Sequence, residues 1–323
     1  MTVRKVCCLC WAIVASVCLG DMTAWGQEQE PHPLIGRWDL VVKGEDGDYP
    51  SWLEVRKSGY STLVGSFVGQ FGSARPIAEI KVDGESFSFA IPKQWEDRQD
   101  HLTFQGECHV DHIDGDHLHG KTTDNQGRQI KFSGVRAPSL KRESEPTWGE
   151  PVELFNGQDL SGWKPLLPNV PNGWTVNHGL LVNAEPGNNI ATSQTFDDFK
   201  LHVEFRYPAG SNSGIYLRGR HELQIEDNFG DEPESHKVGG IYGFLTPSVN
   251  AAKAAGEWQT YDIELVGRTI TVHLNGQRVI DRQDIPGITG GALDSAEGEP
   301  GPIYLQGDHG PVEFRKITIT PAQ

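Results

Sequence analysis

The stretch His221-Glu222-Leu223-Gln224-Ile225-Glu226-Asp227-Asn228 has the residue types and the spacing for chemistry on a sugar. Successive side chains of a strand point to opposite faces, so Leu223 and Ile225 share one side while Glu222, Gln224 and Glu226 share the other. A sugar lying across a sheet meets every second side chain, and glycoside-cleaving sites are built from carboxylates. A bulge after Ile225 would bring Asp227 into the row in place of Glu226. The same alternation equally describes the solvated outer face of a sandwich. Upstream, Asn212-Ser213-Gly214-Ile215-Tyr216-Leu217-Arg218 puts Tyr216 and Arg218 on one face of a second strand. Arg218 there either holds a substrate oxygen through its fork of donors or pairs with Glu222 as a structural bridge. His309, on the glycine-flanked loop Gly307-Asp308-His309-Gly310, is either an acid or base working near neutral pH or an ordinary exposed loop histidine.

Two other groups of reactive residues carry less. His109-Val110-Asp111-His112-Ile113-Asp114-Gly115-Asp116-His117-Leu118-His119 is dense in metal-ligand types. Asp114-Gly115 is a hairpin signal, however, and on this reading the histidines spread over both faces of the hairpin. Cys108 lies in an apolar-alternating run and reads as a buried thiol rather than a nucleophile.

The elements that must position these residues are almost all strands. Runs at 36–42, 51–57, 63–70, 76–82, 86–91, 101–110, 117–122 and 129–135 alternate in hydrophobicity between Gly, Asp and Ser turns. Eight short up-and-down strands suggest a closed barrel, because closure removes unpaired edges. Leu34-Ile35-Gly36-Arg37-Trp38 resembles the Gly-x-Trp opening of lipocalin-like barrels, and Phe67, Phe71, Phe87 and Phe89 read as core. A charged, proline-bracketed stretch at 139–150 reads as a linker. Beyond it, strands are expected at 180–183, 200–207, 214–218, 221–226, 240–245, 259–266, 269–274, 277–281, 302–305 and 312–320. Asn275-Gly276 marks a tight hairpin and 249–255 is the one helical candidate. Ten strands with long connections favour a two-sheet sandwich.

Length and charge set the outer limits. A chain of 323 residues is the size of two domains, expected at 27–138 and 151–323. Residues 1–26 read as a secretory signal: Arg4 and Lys5 lead, an apolar run of about 14 residues follows, and Ala24-Trp25-Gly26 offers a cleavage site. The expected location is therefore secreted or periplasmic. No later run approaches the roughly 20 apolar residues needed to span a bilayer, so no membrane span is expected. Cleavage would leave Cys108 as the single cysteine, so no internal disulfide can form. The formal charge of -16 repels phosphate backbones and argues against a nucleic-acid partner.

Taken together, several of these stretches resemble the 3-keto-disaccharide hydrolase family. The carriers are Leu154-Phe155-Asn156-Gly157-Gln158-Asp159-Leu160-Ser161-Gly162-Trp163, Asn212-Ser213-Gly214-Ile215 with Arg218, Glu222-Leu223-Gln224-Ile225 with Asp227, Gly240-Ile241-Tyr242-Gly243, Leu274-Asn275-Gly276, and Leu305-Gln306 with His309-Gly310. Gln259 and Lys316 stand where the family usually has asparagine. The resemblance covers the C-terminal half only. It implies a concanavalin-like jelly-roll sandwich there, and with the barrel-like, lipocalin-like meander read from the preceding residues the whole chain is expected to be all-β. It also implies an oligosaccharide or glycoside substrate already oxidised at C3. The ketone acidifies the C2 hydrogen, so a base can remove it, the C1 substituent can leave, and water can then add. On this reading Glu222, Asp227 and His309 are the candidate catalytic groups, with Glu222 or Asp227 as base. Arg218 or a divalent metal would stabilise the oxyanion, and Asn212, Arg218, Gln224, Tyr242 and Gln306 would bind substrate. No cofactor is fixed by the sequence. A carbohydrate-binding module without catalysis and a cell-envelope interaction protein are the alternatives.

Overall fold

The computed structural model describes residues 32–45, 47–93, 99–111, 113–124 and 126–323; the signal reading of residues 1–26 lies outside them. The fold is all-β, with no helix among the described residues. None of those residues forms a helix long and apolar enough to cross a membrane.

Eight strands make the first part: β1 (Gly36–Gly44), β2 (Gly47–Ser58), β3 (Thr62–Val68), β4 (Arg75–Asp83), β5 (Ser86–Ile91), β6 (Leu102–His109), β7 (His117–Thr123) and β8 (Gln129–Arg136). They form a closed barrel in sequence order, sealed where Trp38 of β1 faces both Leu53 of β2 and Arg136 of β8. The Trp38 indole donates to the Leu34 carbonyl (2.9 Å) and lies under the Arg136 guanidinium. Phe67, Phe89 and Phe104 fill the interior with ring centroids 4.6 Å apart along Phe67–Phe104 and Phe89–Phe104. Cys108 is buried among them, and burial pushes its thiol up to about 11, which leaves it unreactive at neutral pH. Phe71 does not join this core. The chain leaves β3 at Val68, and Phe71 stands 59% exposed on the β3–β4 loop.

The second part is a sandwich built from β9 (Val152–Glu153), β10 (Trp163–Pro165), β11 (Trp174–Asn177), β12 (Leu180–Asn183), β13 (Ile190–Thr192), β14 (Phe199–Arg206), β15 (Asn212–Leu217), β16 (His221–Glu226), β17 (Gln259–Val266), β18 (Thr269–Leu274), β19 (Gln277–Asp284), β20 (Tyr304–Leu305) and β21 (Val312–Pro321). The smaller sheet runs β10-β13-β20-β15-β16; the larger runs β11-β12-β21-β14-β17-β18-β19, with β9 attached to β21. Leu201, Val203 and Phe205 from the larger sheet meet Ile215, Leu223, Ile225 and Leu305 from the smaller in one apolar core.

Two expected elements differ. Residues 249–255 form no helix; seven residues are too few to repay nucleation, and Lys253 instead donates its backbone N–H to Gln259 Oε1 (2.9 Å). Residues 240–245 turn rather than extend, because Gly243 (φ 72°) reverses the chain and leaves Ile241 with single bridges to Leu223 and Leu245. The charged stretch after the barrel is tied down, with Arg142 paired to Asp197 and Asp198 and Trp148 bridged to Ala322.

Barrel and sandwich share a seam. Trp52 and Val68, on the barrel's outer surface, pack with Ile288 of the sandwich, and Phe244 meets Trp52 edge-on at 5.4 Å. Gly287 lies so close to the Trp52 indole that a Cβ there would collide with it. Beside this apolar patch, Asp39 of β1 is buried against Glu297, whose other partner is Arg268. Burial first, then the Glu297 charge and the hydrogen bond shared with it, holds the Asp39 carboxyl well above the ordinary carboxylate range. The folded state therefore keeps a proton that the unfolded chain gives up near its ordinary value of 3.8, and stability falls as pH rises toward the folded value. Asp39→Asn replaces that proton with an amide donor. Thermal melts from pH 5 to pH 9 should show wild type losing more stability than the variant as pH rises; parallel curves would show that no proton is held there.

Candidate active site

The β15–β16 ladder pairs Asn212 with Glu226, Gly214 with Gln224 and Tyr216 with Glu222, with no shift in register. Leu223 and Ile225 are thereby committed to the core, and Glu222 and Gln224 must point out of the opposite face of the smaller sheet. β20 extends that face, with Tyr304 opposite Tyr216 and their rings stacked 4.2 Å apart. Gly214 is needed here: a Cβ would sit 2.6 Å from Glu222 Oε1, so its absence lets the Glu222 side chain lie down over β15.

Over this face lies a cavity of about 430 Å³, within the range of small-ligand sites, ~300–1,000 Å³. Glu222, Gln224, Asn212, Tyr242, Gln306 and His309 all line it, so six of the eight predicted site residues converge. Glu222 is 4% exposed and its Oε2 accepts from the Tyr216 hydroxyl (3.0 Å). Burial raises its carboxyl to about 8, with the Tyr216 hydrogen bond and the His309 charge pulling the other way. His309 is held above its ordinary value chiefly by its hydrogen bond to Asp308 (2.7 Å). Burial raises Asp308, but His309 and Asn189 outweigh it and keep that carboxyl low. Asn189 fixes the loop by accepting from the backbone N–H of Gly307 (2.7 Å) and Asp308 (3.2 Å). The Gln306 side-chain oxygen is buried with no hydrogen-bond partner, an acceptor free for a ligand hydroxyl.

Arg218 and Asp227 are not brought into the cavity. β15 ends at Leu217, and Arg218 takes a left-handed backbone (φ 52°), which breaks the alternation that would have set it beside Tyr216. Its guanidinium donates to the Asp197 carbonyl (2.7 Å) and to Asp198 Oδ1 (2.9 Å), and burial lowers it to about 10. Asp227 needed a bulge after Ile225; the register holds straight to Glu226, and Asp227 instead accepts from the Gly210 N–H (2.8 Å).

The cavity also has walls that the sequence did not announce. Asp308, Asn189 and Tyr304 stand on it, as do Gln70, Phe71 and Gly72 of the barrel. Gly291 N–H donates to the Gln70 carbonyl (2.8 Å), and Gly290 is packed so closely on Gly72 that a side chain there would strike its backbone. Tyr304 could have been found from its alternation with Gln306, which the sequence did name. Phe71 offered no signal of this placement, because the sandwich groups on the cavity all lie far from it in the sequence.

The described residues of the cleft do not fit a divalent metal. Glu222, Asp308 and His309 do not bring their ligand atoms within reach of one ion; among the described residues that happens only on the barrel, at Glu107, His109 and His119.

An all-β sandwich with a buried carboxyl opposite a carboxylate-held histidine defines a class of site for acid–base work on a small polar ligand. The chain belongs to the family described as the 3-keto-alpha-glucoside-1,2-lyase-like domain, which it matches over residues 150–320, just over half its length. It is similar to a curated 3-keto-disaccharide hydrolase of Bacteroides thetaiotaomicron, with 21% identity over 168 residues. That match covers 40% of this chain and 57% of the other, so the chain spans a little over half the length of the curated relative. Two crystal structures of glycosyl hydrolase candidates from Parabacteroides distasonis are also similar. One has 28% identity, a TM-score of 0.47 and coverage of 57% of this chain and 96% of the other; the second has 19%, 0.45, 54% and 94%.

If Arg218 serves the fold, its loss should appear in stability. Arg218→Ala leaves Asp198 with less compensation in a buried setting, where breaking an ion pair costs ~3–5 kcal/mol. Denaturant unfolding should show a loss of that order, while ligand affinity measured well below the melting range stays near wild type. A stable Arg218→Ala protein that no longer binds would return the arginine to the substrate.

Proposed function

We propose that this protein cleaves 3-keto-glycosides in the sandwich cavity by removing the C2 proton, eliminating the C1 substituent and hydrating the product, for net hydrolysis. The observation that carries the reading is the buried Glu222 carboxyl, raised to about 8, on the same cavity as a histidine whose hydrogen bond to Asp308 lifts it above its ordinary range. Two titratable groups set apart by their surroundings are what paired proton transfer requires.

Glu222, once ionised, takes the C2 hydrogen that the neighbouring ketone has acidified. The electron pair forms the C1–C2 double bond as the C1–O bond breaks, and His309 gives its proton to the departing oxygen. Water then adds its oxygen to C1 and gives its proton to His309, while Glu222 returns its proton to C2, which restores both groups. The amide groups of Asn212 and Gln306 supply neutral donors for the C3 oxygen, whose negative charge grows during proton removal. Gln224 donates to the His236 carbonyl (3.1 Å), so its role is to hold the floor of the site. Phe71, an exposed ring on the barrel side of the same cavity, provides an apolar face for the sugar carried by the leaving oxygen. Residues 1–26 would deliver the protein to a secreted or periplasmic location, where such glycosides are met outside the cell's own metabolism.

Turnover of 3-keto-trehalose and 3-keto-sucrose, beside unoxidised controls, tests the reading. Glu222→Gln should lower kcat by ~10²–10⁴-fold while leaving the fold intact. In wild type kcat/KM should be bell-shaped in pH, because Glu222 must be ionised to act as base while His309 keeps the proton that it gives to the leaving oxygen. A profile with a single limb would remove one of the two groups from proton transfer. Binding of the keto-sugars without any release of product would leave a carbohydrate-binding module in place of an enzyme.

Phe71→Ala tests the barrel's share. It should raise KM for a 3-keto-disaccharide roughly tenfold, about 1.4 kcal/mol, with little change in kcat. An unchanged KM would remove the barrel from substrate recognition.

A further inference from the structure

The outer wall of the barrel carries a second arrangement of reactive groups, unrelated to the sandwich cavity. Directly opposed residues of an antiparallel pair share a face. The β6–β7 register sets Glu107 against His119 and His109 against His117. Cys108 and Leu118, between them in sequence, point into the barrel core and prevent either strand from turning over. The histidines at 109, 117 and 119 are therefore gathered on one face rather than spread over two. Alternation has to be counted across the ladder, and the connection between β6 and β7 resets it.

Ligand-capable atoms of Glu107, His109 and His119 all lie within 4.8 Å of one another. The Nε2 atoms of His109 and His119 both converge on Glu107 Oε2, each at 3.7 Å. That separation is too long for a hydrogen bond. It is close to the ~3.4 Å between ligand atoms that share one tetrahedral ion at bond lengths of about 2.1 Å. On its other side, His109 Nδ1 lies 3.3 Å from Glu85 Oε2. A carboxylate accepting from Nδ1–H places the free lone pair on Nε2 and fixes the ring plane, the arrangement that metal-bound histidines use. His117, its ring 5.2 Å from that of His109, stands beside the trio as a further imidazole.

We propose that Glu107, His109 and His119 bind one divalent transition-metal ion of the zinc class on the barrel surface, with Glu85 orienting His109. Two imidazoles and one carboxylate select zinc, nickel, cobalt or copper over magnesium and calcium, which take oxygen ligands. The remaining coordination positions are open to water, His117 or a partner's side chain. Because the ligands come from both strands of the β6–β7 hairpin and Glu85 from the turn before β5, the ion staples three adjacent strands of the wall. The exposed setting, with Glu107 at 52% and His119 at 56%, points to micromolar rather than tighter affinity.

The test uses tag-free full-length protein stripped with chelator and titrated with zinc chloride by calorimetry, with magnesium chloride as control. One zinc per chain at micromolar Kd, a melting temperature that rises with zinc, and no response to magnesium are the expected results. His109→Ala/His119→Ala should weaken binding at least 100-fold, and Glu107→Gln about tenfold. All three side chains are at least partly exposed, so the variants keep the fold, which circular dichroism checks. Glu222→Gln should bind zinc as wild type does, separating this site from the cavity. Absence of saturable uptake, or uptake unchanged in the double histidine variant, overturns the proposal.

Discussion

A carboxyl group held out of water is costly, and the sandwich is arranged around one that it cannot release. The β16 strand has no freedom to relieve Glu222. Leu223 and Ile225 are fixed in the core, so the register that secures several kcal/mol of apolar burial also fixes the acid on the opposite face. Slipping the strand by one residue would place Glu222 in the core and Leu223 in the cavity. The cost is met by protonation at neutral pH and by the Tyr216 hydroxyl, whose one proton is shared between Glu222 Oε2 (3.0 Å) and the Gly290 carbonyl (2.8 Å). Stability and reactivity are thus set by the same few residues.

That constraint explains why the outer face of the smaller sheet is not a solvated surface. Left open, it would hydrate Glu222 and return it to the ordinary carboxylate range. Leu166, Leu293 and the barrel loop at Phe71 roof it instead, so the barrel takes part in excluding water from the site. The barrel loop can hold that position because Gly290 leaves no side chain in the way. The seam through Trp52 and Ile288 keeps the two parts in register at a distance from the cavity.

The barrel strands were legible because most bury one face and so alternate; Leu118 and Cys108 inward against His117, His119 and His109 outward is the pattern in miniature, lost only where the outer face is also covered, as at Asp39 and Trp52. The long strands of the sandwich were legible for the same reason. β10 and β13, three residues each, are too short to alternate, and their place is decided by Ile190 and Trp163 entering a core assembled from elsewhere. At the site, Glu222 and Gln224 were readable from period two, and Gln306 from the family resemblance. Arg218 was not, because a single left-handed residue at a strand end reverses a side chain without changing the sequence pattern. Phe71 was misassigned to the core for a related reason: hydrophobicity records that a ring avoids water, but not whether its own barrel or a neighbouring cleft receives it.

On the proposed reading the cavity gives each fold a separate job. Glu222, Tyr216 and Tyr304 stand on paired strands of the sandwich, and His309 on a loop that Asn189 pins through Gly307 and Asp308. Phe71 hangs from a barrel loop, and loops can change length and sequence without disturbing the sheets that bear them. The proposed chemistry would then rest on the sandwich and the proposed recognition on the barrel loop, so that the ligand range could drift while the reaction stayed fixed. The tightness at Gly290 sets the limit on that drift, since any loop that replaces residues 70–72 must still pass its backbone over a residue with no side chain.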